Sequence, residues 1–187
     1  GNYDGGWDVE ALPDGYVIVG ARRASPQAKL EARLIRTKLD GTKLWDKTYP
    51  GLGLAQGYAV APAGPGFAVV GWTATGPDAP NDLWLFQTDA IGLLQWDVKL
   101  GAAADDFGMA LVSLPDGLLL AGATASKGLG NHDGWMLRTN TWGQPSCQAA
   151  GVCATQPACN DGKPCTADAC SPTSGCTNTP IPGCTVG

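Results

Sequence analysis

"LPDGYVIVG", Leu12 to Gly20, is written again as "AGPGFAVVG", Ala63 to Gly71, and as "LPDGLLLAG", Leu114 to Gly122. Sliding the chain against itself by 51 residues brings the three phrases into line without a gap. Gly6, Gly57 and Gly108 then coincide, as do Gly15, Gly66 and Gly117, and Gly20, Gly71 and Gly122. Thr37 falls on Thr88 and Thr139, and Gly41 on Gly92 and Gly143. Trp45 falls on Trp96, and the third copy reads as ending before that position. A fixed internal period of this size is the mark of a repeat architecture.

Within a unit the apolar runs are short and rich in Val, Leu, Ile and aromatics, with Gly, Pro or Asp between them, which is strand composition. "PDG" supplies a fixed negative φ and then a residue that tolerates positive φ, as a tight turn requires. Runs such as "VIV", "AVV" and "LLL" are too continuous for a half-wet sheet and suit strands covered on both sides. Strands are expected near 7–12, 16–21, 32–38, 43–49, 57–62, 67–72, 83–89, 93–100, 108–113, 118–123 and 134–139. Four strands per roughly fifty residues in tandem describe a β-propeller blade; a β-sandwich or an open stack of small sheets is the rival. The expected fold is therefore all-β, with antiparallel propeller-like blades at about 5–55, 56–106 and 107–143. Three units fall short of a ring, and the third lacks its last strand, so an edge and a face are left open. Trp45 and Trp96 are expected to be buried at equivalent positions between sheets, and the repeated glycines to punctuate strands.

"LDGTKLW" (Leu39–Trp45) and "AIGLLQW" (Ala90–Trp96) resemble the turn-to-Trp phrase of quinoprotein-type (PQQ-like) propeller blades. "LPDGYVIVG" with "ARLIRTKLDG" resembles the short propeller repeats of large secreted myxobacterial-type proteins. The resemblance covers residues 1–143 and implies that the Trp packs rather than reacts. A quinone-cofactor enzyme of that kind uses eight blades, adjacent cysteines and a calcium site; here there are three repeats, no cysteine within them and no adjacent cysteine pair, so no cofactor is expected.

The charge balance, 12 Lys and Arg against 17 Asp and Glu for a net of -5, offers no basic field for a phosphate backbone. No apolar run reaches the length of a membrane span. The single histidine, His132, stands in a polar loop, opposite Leu30 and Asn81 of the other copies, with no assignable partner. Glu31, Asp82 and Asp133 recur at one phase ahead of a strand and read as caps or, if the ring closes, as a lining able to hold a cation. Nothing resembles a catalytic triad, a zinc His pair or a phosphate-cradling loop. No catalytic, cofactor or metal residues are assigned.

All seven cysteines, Cys147, Cys153, Cys159, Cys165, Cys170, Cys176 and Cys184, lie in the last 41 residues, and all 14 aromatic residues end at Trp142. The boundary is placed near Gln144 and Pro145, giving a repeat domain at 1–145 and a cysteine-rich segment at 146–187. Such a segment, without an aromatic core, reads as a disulfide scaffold of an oxidising compartment. An odd cysteine remains after pairing, with Cys147 the candidate. Zinc is the rival, but no Cys-x2-Cys knuckle is present. "CNDGKPCTADACSPTSGC" (Cys159–Cys176) resembles modules attached to secreted deltaproteobacterial proteins. An EF-hand fails because Pro157 and Cys159 occupy ligand positions; Asn160, Asp161 and Asp168 are left as turn residues or ligands of another geometry.

The expected function is a non-catalytic structural and interaction module, secreted, periplasmic or at the cell surface. Its expected partner is protein, either a second copy or further blades of a longer parent chain. The alternatives are a fragment of an extracellular hydrolytic (carbohydrate-active) enzyme, or of a quinoprotein-like one.

Overall fold

Each 51-residue unit becomes one antiparallel sheet in the computed structural model. The structure describes residues 3–128 and 131–145, and the backbone of two further strands at 166–171 and 175–180. The first sheet is β1 (Tyr3–Leu12), β2 (Gly15–Arg23), β3 (Glu31–Lys38) and β4 (Lys43–Tyr49). The second repeats it as β5 (Leu54–Ala63), β6 (Gly66–Ala74), β7 (Asp82–Thr88) and β8 (Leu94–Leu100). The third is β9 (Asp106–Leu114), β10 (Gly117–Thr124) and β11 (Asp133–Thr139). In every sheet the strands lie side by side in chain order. The fold is all-β, and the described residues contain no helix.

Register repeats with the sequence. Thr37 pairs with Lys43 and Thr88 with Leu94. A single bridge joins Thr139 to Pro145, one repeat further on. The bridge stands outside the named strands, and among the described residues the third sheet has three strands where the first two have four. Counting on, Cys147 holds the sequence position of Trp45 and Trp96.

The expected strand positions are found, but β1, β5 and β9 start earlier than the pattern suggests. The ladder slips by one residue at Gly6/Asp8, at Gly57/Ala59 and beside Gly108. A bulge of this kind breaks the two-residue alternation, so the segment before it no longer reads as strand although it stays paired.

The sheets stack face on face. We call the side of a sheet that meets the following sheet its front. Val17, Val19, Ala32 and Leu34 form the front of the first sheet, and each is fully buried. They meet Ala55, Val60, Phe67, Val69, Trp84 and Phe86 of the second sheet in one core. Ala68, Val70, Leu83 and Leu85 form the front of the second sheet and meet Leu118 and Leu120 of the third. Alternate residues of β6 thus enter different cores, which is why "FAVV" carries no polar residue. At about 1.5–3 kcal/mol for each large side chain taken out of water, these two cores hold the stack together.

The backs of the sheets are seated by glycine. A Cβ on Gly57 would lie 2.4 Å from Val19 Cγ2, and one on Gly108 would lie 2.1 Å from Val70 Cγ2. Only a residue without a side chain lets β5 and β9 approach the preceding sheet this closely. Gly20, Gly71 and Gly122 face the carbonyls of Gly5, Gln56 and Phe107, while Gly15, Gly66 and Gly117 face those of Thr37, Thr88 and Thr139.

The indoles close the outer edges. Trp45 Nε1 donates to the Ala90 carbonyl at 3.3 Å, and its ring lies over Gly92 in the turn of the next sheet. Trp96 lies over Gly143 in the same manner. Both are half-buried rather than buried as expected. They sit at the last strand of a sheet, where one side of the ring has a neighbour and the other has solvent. The Tyr49 hydroxyl adds a bond of 2.7 Å to the Gly92 carbonyl, and burial pushes its phenol up from the ordinary value.

The two remaining strands, β12 (Thr166–Ser171) and β13 (Gly175–Pro180), pair as an antiparallel hairpin with Cys170 opposite Cys176. Cys147, Cys153, Cys159, Cys165 and Cys184, and with them the scaffold expected of the segment, lie outside the described residues, as do Asn160 and Asp161.

Candidate functional site

The same positions that are sealed in the first two sheets are open in the third. Leu34 and Leu85 are fully buried, whereas their counterpart Met136 is 72% exposed. Val19 and Val70 are fully buried, whereas their counterpart Ala121 is exposed. Ala32 and Leu83 correspond to Gly134, where an added Cβ would meet nothing within 4 Å. Ala61 is buried, and its counterpart Val112 is 53% exposed. Ala110 and Leu119 complete a front face that no described residue covers. At the edge of β11, toward the loop end, a hollow of about 380 Å³ is lined by Thr124, Lys127, Asp133 and Met136, and by Trp135 and Leu137 of the back. An uncovered apolar sheet face beside two covered homologues is the feature of the molecule that most needs a partner.

The loop end carries the acidic residues. Glu31, Asp82 and Asp133 open β3, β7 and β11, as their shared phase requires, each in its own sheet. The Asp82 carboxyl is held above its ordinary value by burial and by the nearby Asp106 charge. Asp106 is fully buried; its Oδ2 accepts from the Ser126 hydroxyl at 2.7 Å and from the Ala102 amide at 3.0 Å. Asp105 Oδ1 accepts from the backbone and side-chain amides of Asn81 at 2.8 and 2.9 Å. This pair fastens the linker between the second and third sheets to two loops. The repeat comparison misses it because positions 54 and 55 of the preceding copy are Leu and Ala; the only signal was the adjacent pair of acids. Among the described residues, no three His, Cys, Asp or Glu side chains are grouped to hold a metal ion. His132 is exposed, its ring centroid 6.1 Å from that of Phe107.

The back of the first sheet is different in chemistry. Arg33 stands where the second and third sheets have Trp84 and Trp135. Its guanidinium binds Asp46 through two bonds, 2.8 Å from Nε and 2.6 Å from Nη2, and reaches Asp4 as well. The paired geometry holds the Asp46 carboxyl down at about 2 and raises Arg33 above its ordinary value. In the second sheet Trp84 Nε1 donates at 2.9 Å to Asp97, the counterpart of Asp46. Burial opposes ionisation of Asp97, but the bonds from Lys99 and Trp84 outweigh it and leave that carboxyl below its ordinary value.

The turn end repeats too. Arg36 pairs with Asp14, and Arg138 with Asp116. Gln87 instead donates to the Ala63 carbonyl at 2.9 Å, because position 65 is Pro. Beside these residues, clefts of about 470 and 290 Å³ lie at equivalent places between successive sheets. Turn prolines wall both, Trp45 and Phe67 add aromatic surface to the larger alone, and neither has a convergent set of titratable groups.

Comparison with known proteins places one match on the chain. A family model described as a Dictyostelium (slime mold) repeat matches residues 158–181. No curated protein matches the chain. The match corrects the resemblance drawn from the sequence: it points to a slime mold repeat, not to quinoprotein-type or myxobacterial-type blades, and it falls on the stretch likened to a deltaproteobacterial module. The physical reason lies in the motif. "LDGTKLW" is a tight turn entering an edge strand whose indole caps the next sheet, and any stack of such sheets calls for Gly and Trp there.

Proposed function

We propose that the chain is a non-catalytic structural and interaction module whose three sheets are blades of a propeller-like fan. The fan joins a further β-sheet through the front of the third sheet. The observation that carries this reading is Met136, 72% exposed where Leu34 and Leu85 are fully buried. Stacked faces of this composition are worth several kcal/mol when covered, and leaving one bare favours association. The fan shape is supported by the repeated glycine seats, by strand order, and by the indole that joins each sheet to the turn of the next. An extracellular, periplasmic or cell-surface setting is supported by the crowding of seven cysteines into the last 41 residues.

The sulfur of Met136 reports directly on this face. Its oxidation by dilute peroxide, followed by peptide mass mapping, is expected to slow severalfold as protein concentration rises from nanomolar to tens of micromolar. A rate that stays at the free-methionine value across the whole range would contradict the proposal.

A further inference from the structure

We propose that the front of the third sheet is covered by the back of the first sheet of a second copy of this chain, head to tail. This rests on the reading of that front face as an interface, and adds its occupant.

Both halves of such a contact are written on the one chain. At each internal junction a knob on the front of one sheet enters a seat made by glycine on the back of the next. Val19 enters at Gly57, and Val70 at Gly108. One repeat before Gly57 stands Gly6, and one repeat after Val70 stands Ala121. A Cβ on Gly6 would meet only Ile18 of its own sheet, at 3.5 Å, an ordinary contact. Gly6 is also not among the glycines with positive φ. Its own described surroundings therefore give Gly6 no reason to be glycine, whereas a sheet seated against it would.

The space above Gly6 is a hollow of about 170 Å³, lined in part by Asp4, Ile18, Arg33 and Ile35. Sizes match across the proposed contact. Ile18 is one methylene larger than its counterpart Val69, and Ala121 and Gly134 are smaller than Val70 and Leu83. The charge on this surface is already closed, since Arg33 is held by Asp46 and Asp4, so covering it leaves no lone cation. A contact between unlike faces is self-limiting only when the copies return on one another. Two copies joined at both ends meet that condition, six sheets in one ring.

The test places a photo-crosslinking benzoylphenylalanine at Met136 of the full chain and mixes ¹⁴N- and ¹⁵N-labelled copies before illumination. The expected product is a mixed-isotope pair of tryptic peptides, one carrying position 136 and the other carrying Gly6 or Ile18. Gly6→Val, with its circular dichroism unchanged, is expected to cut that product about tenfold, equivalent to about 1.4 kcal/mol of association. Mixed-isotope products joining position 136 to another element would remove this occupant and leave the interface reading intact. Single-isotope products alone, which place another part of the same chain on the face, would overturn the second copy. An unaltered yield in Gly6→Val would overturn the seat. The Met136 oxidation rate separately decides whether the face is an interface at all.

Discussion

Trp84→Ala is expected to lower the unfolding free energy by about 3–5 kcal/mol, the range for removing a large buried aromatic. Trp84 is 2% exposed, packs 4.4 Å from the Phe86 ring and lies in the core between the first and second sheets. Its loss opens a cavity in rigid strand surroundings, where neighbours relax little. It also takes a donor from Asp97. Trp84→Phe separates the two effects: it keeps most of the volume and is expected to cost less than half as much. Urea titration followed by circular dichroism measures both. A loss below about 1 kcal/mol for the alanine variant would show that the first and second sheets do not share this core.

Gly108→Val is expected to cost about 3 kcal/mol, the upper part of the range for overpacking. The added Cβ would fall 2.1 Å from Val70 Cγ2 and 3.1 Å from Leu83 Cγ. Val70 cannot rotate away, because a β-branched side chain has few χ1 choices and this one is fully buried. The third sheet must therefore lift from the second. Shortening the knob tests the cause: Gly108→Val with Val70→Ala is expected to recover at least half of the loss. No recovery in the double variant would place the cost in the β9 bulge rather than between the sheets.

The repeat made most of the fold legible. Four aligned glycines per unit, with apolar runs too continuous for one-sided burial, led directly to one antiparallel sheet per unit. Bulged starts were not legible, because an extra residue at Gly6, Gly57 or beside Gly108 cancels the alternation that reveals a strand. The half-burial of Trp45 and Trp96 depends on which strand is outermost, and sequence period carries no such information. Arg33 at the place of Trp84 and Trp135 looks like loss of a core residue until its bonds to Asp46 and Asp4 are seen. Asp105 and Asp106 escaped because the comparison of copies finds what recurs, and their latch occurs at one junction alone. The open face was inferred from the count of units, but Met136, Ala121 and Gly134 became its residues only once the front of each sheet was known.

One face is buried in the first two sheets and bare in the third, and three matched substitutions test that difference. Leu34→Asp, Leu85→Asp and Met136→Asp place the same carboxylate at one repeat position in successive sheets. Unfolding free energies are measured in urea at high dilution, so that association does not contribute. Leu34→Asp and Leu85→Asp are predicted to lose more than about 3 kcal/mol each, since an unpaired charge would enter a dry core. Met136→Asp is predicted to change stability by less than about 0.5 kcal/mol, as exposed substitutions do. Equal losses at all three positions would contradict the account, because the front of the third sheet would then be covered from within its own chain.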